Sequence, residues 1–332
     1  NLTHTQIGVF LALLIVAVMP NFGLKYGASP ALPAGLLALL GGWLVWKQRA
    51  AVFAAPSTRR LTGVFALLLV PVLISIPASY NIRYSLGVAG ALLVYYVAGL
   101  ALVRVLRGDA ERAWLAKWIT FVLAFWIVDS LIQFFTGTDL FGLSRTPDGR
   151  VLGPFGGNTR QPTLIALLLP VVLWFLLRKG TAPALAFFVA AGVVATLSGI
   201  RMALVMLAIA AVGFYLKLPR WRFKIPVALL ALAIVLAAIG LTPAMKERMA
   251  RLGEIRDIRF ETLDYVLSTR ATIWETASHM LIARPLTGVG AGQFKNYNPP
   301  DRLEPWRETH NVLLQVAAEL GVFGLFAFLF LL

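Results

Sequence analysis

The chain has no cysteine among its 332 residues, which excludes a disulfide, a thiolate nucleophile and any cysteine-based metal site. The fold therefore rests on packing alone. Charge is scarce as well. Asp, Glu, Lys and Arg make up 14% of the chain, and only 15 residues are acidic; an ordinary soluble domain carries about 25% charged residues. With 59% hydrophobic residues and a mean hydropathy of +0.80, there is more apolar side chain than a water-soluble globule of this length can bury. Lipid must be the solvent. The formal net charge of +15 does not indicate nucleic acid, because Lys and Arg fall in short clusters between apolar runs and form no single basic face. No internal repeat of the inverted-topology transporter kind is visible either.

Apolar runs dominate what is present. A bilayer core needs roughly 17 to 25 mostly apolar residues per helix. The pattern predicts about ten spans, at 7–20, 28–46, 61–78, 84–103, 114–136, 162–177, 183–198, 201–216, 223–241 and 310–332. The first run lacks a basic flank and a cleavage signature, so it is expected to stay as a helix. The last reaches Leu332 without a basic flank, and the full-length protein is expected to continue. Basic residues concentrate in alternate connections, around 47–60, 104–117, 178–179 and 217–224. The positive-inside rule puts these in the cytoplasm with the N-terminus. The connection 137–161, the corner 198–201 and the long segment 242–309 then face the periplasm of a bacterial inner membrane.

The expected organisation is an all-α polytopic membrane protein: a bundle over 1–241 with about nine helices, a periplasmic helical loop domain over 242–309, and a further span over 310–332. The loop holds ten Lys or Arg against nine Asp or Glu, the balance of a small domain. Ser268 and Thr269 can cap a helix running to about Ala283, which Pro285 ends. The Gly288, Gly290, Gly292 pattern that follows is no dinucleotide fingerprint, since no strand precedes it; it reads as a tight turn.

Few residues can carry chemistry, and most of them gather on the expected periplasmic side. His310 opens the last span; it is either a general base, its ordinary pKa near ~6.5 suiting proton abstraction from a hydroxyl, or an interfacial histidine at a helix end. Arg201 and Arg270 each begin a predicted helix, where free backbone amides already favour anions. A guanidinium there suits a phosphate or diphosphate, although headgroup snorkelling and a plain surface charge remain open. Arg145, Arg150 and Arg160 flank the Gly153-Pro154-Phe155-Gly156-Gly157-Asn158 stretch and can bind pyrophosphate or decorate a solvated turn. Two acids, Asp129 and Glu319, fall inside spans, where carboxylates are costly and face a bundle interior. Nine residues along one helix put His310 and Glu319 on nearly opposite sides, so Glu319 is expected to be a buried structural partner and not half of a dyad. No paired acids with metal-ligand spacing stand at the periplasmic ends of the spans, and no metal is expected.

In chain order, Ser198-Gly199-Ile200-Arg201, Arg270 with Trp274, Pro285 to Phe294 with its glycines, His310-Asn311 and Glu319-Leu320-Gly321-Val322-Phe323-Gly324-Leu325 resemble the O-antigen ligase family, within the O-antigen ligase and polymerase superfamily. The pattern covers residues from about 190 onward; the N-terminal half shares only hydropathy and the 153–158 stretch. The resemblance implies a membrane-embedded GT-C-like glycosyltransferase that takes glycan from an undecaprenyl-diphosphate-linked donor and passes it to the lipid A core. It implies His310 as the base, Arg201 and Arg270 at the diphosphate with Arg160 as a further member, and Asn311, Trp274, Glu319, Arg145 and Arg150 in support. Arginines in place of a metal ion imply no cofactor and inverting transfer. Ligase-like chains usually have further spans after the His-bearing helix, and this sequence ends there. An O-antigen polymerase, a protein O-oligosaccharyltransferase and, from another class, a lipid-linked oligosaccharide flippase are the competing expectations.

Overall fold

The structure, a computed structural model, describes residues 3–20, 31–156, 158–217, 270–296 and 308–331. Among these residues there are ten α-helices and no strand, with one isolated bridge between Thr138 and Ser144. In chain order the helices are α1 (His4–Ala17), α2 (Ala31–Ala54), α3 (Pro56–Ser75), α4 (Ile82–Val105), α5 (Asp109–Thr136), α6 (Gln161–Leu177), α7 (Thr181–Ser198), α8 (Arg201–Lys217), α9 (Arg270–Ala283) and α10 (Val312–Leu331).

The expected all-α polytopic architecture is what the chain adopts. Five stretches, Pro56–Ala78, Ile82–Val105, Asp109–Thr136, Thr181–Ser198 and Val312–Leu331, are long and apolar enough to cross a membrane. At the expected runs 7–20, 162–177 and 201–216 stand α1, α6 and α8, shorter apolar helices than these five. The helix expected at 28–46 runs instead from Ala31 to Ala54 with a kink at Gln48, whose side-chain oxygen takes Nε and Nη2 of Arg104 at 3.1 and 3.0 Å. The span at 223–241 and the capping residues Ser268 and Thr269 lie outside the described residues. Large apolar side chains point outward, with Phe135 79% and Phe330 78% exposed, a surface that only lipid can solvate.

The chain forms two compact units, one from residues 1–34 and 105–251, the other from 35–104 and 252–332. In the first, α6 packs against α7 and α8, and α6 and α7 pack on α5. Gly199, left-handed at φ 65°, ends α7, and the buried Ser198 hydroxyl donates to Ala195 O at 2.7 Å, so the chain reverses within two residues and Arg201 opens the next helix. The core here is Leu123, Trp126, Leu169, Phe188 and Phe214 with their neighbours, and Trp126 meets Phe155 edge to face at 5.0 Å.

In the second unit α10 packs against α3 and α9. The α9 face of Ile273, Ala277 and Met280, at helical spacing, buries against Val289, Phe294 and Ala318. Each such large side chain contributes on the order of 1.5 to 3 kcal/mol.

Candidate functional site

His310 does not open the last helix. α10 starts at Val312, and His310 sits in the turn before it with φ 54°, the one non-glycine residue at positive φ among the described residues. An L-residue there costs about 1–2 kcal/mol, so its neighbours must hold it. On one side Asn311 caps α10, its Oδ1 accepting from the amides of Leu313 at 3.1 Å and Leu314 at 3.3 Å. On the other, Thr309 is fully buried and fixed at every polar atom. Its amide donates to Gln315 Oε1 at 2.9 Å, its hydroxyl to Asn311 O at 2.6 Å, and its carbonyl accepts the indole N–H of Trp274 at 3.1 Å. The imidazole itself remains 46% exposed, with Nδ1 3.5 Å from Glu308 Oε1. Arg270 lies one turn before Trp274 on the same face of α9, and Trp274 bonds to Thr309, the residue beside His310.

Glu319 is buried in α10 and makes no contact with the imidazole; it is tied to the glycine turn. Its Oε2 accepts Gly292 N–H at 2.7 Å, and its Oε1 accepts Phe294 N–H at 3.1 Å and Gln315 Nε2 at 2.8 Å. Gln315 in turn reaches Thr309, so a continuous line of hydrogen bonds joins the turn to the residue beside His310. The glycines at 288, 290 and 292 form the expected tight turn, all with positive φ, and their role is close backbone approach. Gly321 breaks α10 with φ 67° and ψ −165°, freeing the carbonyls of Ala318 and Glu319 to accept the amides of Val289 at 3.1 Å and Gly290 at 2.9 Å. Ser75, Ser85 and Asn81 anchor the other side of the turn through Ala291 and Gln293.

The remaining arginines belong to the first unit. α6 packs directly against both α7 and α8; Arg160 precedes α6, and Arg201 opens α8 at the end where α7 stops. The connection 137–160 lies at this end too, held to α7 by Val151 N–H donating to Leu197 O at 3.4 Å. Arg145 is committed to structure: Nε donates to Gln133 O at 3.1 Å and Nη2 to Phe134 O, capping α5. Arg150 Nε lies 2.5 Å from Asp148 Oδ2. The Thr146 hydroxyl that donates to Asp148 holds its carboxyl below the ordinary range, and Arg150 adds to this. The side chain of Arg160 is exposed. Asp129, fully buried, accepts Leu140 N–H at 2.9 Å and has its carboxyl beside that of Asp139.

Two glutamines escaped the sequence reading. Gln133 accepts the amides of Leu152 and Gly153, each at 2.9 Å, and so positions the 153–155 turn; Gln315 joins Glu319 to Thr309. The available signal was an amide inside an apolar helix, a costly placement that marks an interior partner.

A family model described as O-antigen ligase matches residues 184–329. Residues 184–329 belong to the O-antigen ligase family. The match contains the Ser198–Arg201 corner, Arg270, Trp274, the glycine turn, His310, Asn311 and Glu319, whereas Arg145, Arg150 and Arg160 precede it. No curated protein and no solved structure matches the chain. The match over 184–329 and the five apolar helices long enough to span support a multi-pass membrane protein that carries a segment of O-antigen ligase type.

Proposed function

We propose that the protein is an O-antigen ligase of the bacterial inner membrane, moving glycan from an undecaprenyl-diphosphate-linked donor to a sugar hydroxyl of the lipid A core. The observation that carries this reading is His310, a partly exposed imidazole held at a strained backbone position by Thr309, Trp274 and Asn311 inside the family segment. Strain retained against its cost is a mark of functional placement. With Nδ1 turned toward Glu308, Nε2 is the nitrogen left to act as base.

In the proposed reaction, the acceptor hydroxyl gives its proton to His310 and its oxygen attacks the anomeric carbon from the face opposite the diphosphate. The bond from that carbon to the diphosphate oxygen breaks, the configuration inverts, and undecaprenyl diphosphate leaves with the bonding pair. Arg201, Arg270 and Arg160 neutralise the departing charge, which a planar guanidinium does through paired hydrogen bonds, so transfer needs no metal ion. Arg145 and Arg150 act indirectly in this scheme, by shaping the 137–160 connection. The basic connections support a cytoplasmic N-terminus, with the reacting end and the 242–309 loop domain in the periplasm.

The test is purified protein in detergent with undecaprenyl-diphosphate-linked glycan and lipid A core, in EDTA, with products resolved on a gel. A shift of the core to glycan-bearing species supports the proposal. Growth of the donor glycan with an unmodified core means a polymerase instead, glycan on Ser or Thr of a protein means an oligosaccharyltransferase, and activity only after Mg or Mn is added overturns the metal-free scheme.

A further inference from the structure

We propose that Gln315 is a positioning residue for His310, an inference that rests on the reading of His310 as the base. A glutamine amide has one accepting oxygen and one donating nitrogen, and here its orientation is dictated. The backbone amide of Thr309 can only donate, so Gln315 turns Oε1 to it, 2.9 Å from the amide and 3.2 Å from the hydroxyl. Nε2 is left for the Glu319 carboxyl at 2.8 Å, which also accepts the amides of Gly292 and Phe294. With the indole of Trp274 on the carbonyl, the polar atoms of Thr309 are held from both sides, and the next residue takes the left-handed turn that sets the imidazole direction.

Helix formation does not require this arrangement, because Asn311 already caps α10. The amide does what an apolar or an acidic side chain cannot: it carries the fixed geometry of the glycine turn, through an acceptor at Glu319, to a donor at Thr309. Gln315 touches no reacting atom in this scheme. It acts through His310, whose misplacement by about 1 Å is enough to slow chemistry while substrate binding is kept.

The experiment measures kcat and donor KM of the full chain in detergent, with undecaprenyl-diphosphate-linked glycan and lipid A core, for wild type, Gln315→Ala, Gln315→Glu and His310→Ala. Gln315→Ala is expected to lower kcat by roughly tenfold to hundredfold with donor KM nearly unchanged. Gln315→Glu keeps the shape and the acceptor for Thr309 but sets a second carboxylate against Glu319, which Lys295 only partly offsets. It therefore needs a proton at the contact, and its kcat is expected to fall as pH rises over a range where wild type does not fall. Wild-type kcat in Gln315→Ala, a loss confined to KM, or a Gln315→Glu profile parallel to wild type would overturn the inference. If Gln315→Ala does not fold, the isosteric Gln315→Glu profile decides. Activity retained by His310→Ala sinks the base assignment itself, whereas an inactive His310→Ala beside a wild-type Gln315→Ala sinks only the role of Gln315.

Discussion

Replacing Gly321 with alanine tests whether the glycine turn and the break in α10 are one structural device. At φ 67° and ψ −165° the residue occupies a region open essentially to glycine, and forcing an L-residue into it costs on the order of 1–3 kcal/mol. Space adds a second cost. A Cβ at 321 would lie 2.3 Å from Leu286 O, 2.4 Å from Leu286 C and 2.7 Å from Gly288 N, all backbone atoms that cannot swing aside. Overpacking of this kind costs roughly 1–3 kcal/mol more. The sum, about 2–6 kcal/mol, corresponds to a fall in Tm of roughly 3–9 °C for a chain of this size. The strain falls on the bond from Val322 N–H to Pro285 O at 2.8 Å and on the amides of Val289 and Gly290, so the Glu319 to Thr309 line should loosen with it. Thermal unfolding in detergent, followed by circular dichroism, reads the shift. Gly63→Ala is the control, since its Cβ meets nothing within 4 Å inside helix α3, and it should be neutral or stabilising by up to about 1 kcal/mol. Equal Tm values for the two variants would refute the argument that backbone contact at 321 organises this unit.

His310→Asn should keep wild-type stability, because asparagine tolerates the left-handed region, and should lose transfer; activity on the wild-type scale in this variant removes the imidazole from the chemistry. Arg201→Ala and Arg270→Ala should weaken donor binding or slow diphosphate departure, while lysine at either position restores charge without the planar fork and recovers only part; a donor-binding titration showing both alanine variants at wild type would end the diphosphate assignment. Arg145→Ala and Arg160→Ala should separate: the first removes a cap from α5 and lowers Tm by an amount equivalent to about 1 kcal/mol, whereas the second leaves Tm alone and lowers the donor transfer rate. Equal effects of these two variants on Tm would contradict the structural assignment of Arg145.

Much of this protein was legible in the amino-acid sequence, and the reason is the solvent. In lipid every backbone group must bond within its own helix, so apolar run length alone reports that helices cross the membrane and roughly where. The helix over Arg270–Ala283, the tight glycine turn and the buried structural place of Glu319 followed from capping, proline and the cost of a membrane carboxylate. Run length misplaced an end where a helix bends, as at Gln48 of α2, because packing rather than hydropathy sets that end. Placing His310 on the helix failed for a related reason: helical periodicity has no term for a left-handed residue, and only Thr309, Trp274 and Asn311, bonded in three dimensions, make that turn tenable. The sequence by itself determined the all-α membrane class and the segment that the family model matches, and it named the candidate side chains. Tertiary structure decided which arginines are spent on capping and pairing, which glycines touch backbone, and that Gln315 joins Glu319 to the His310 turn, because hydrogen bonds are made by atoms brought within about 3 Å, and only the packed helices bring them there.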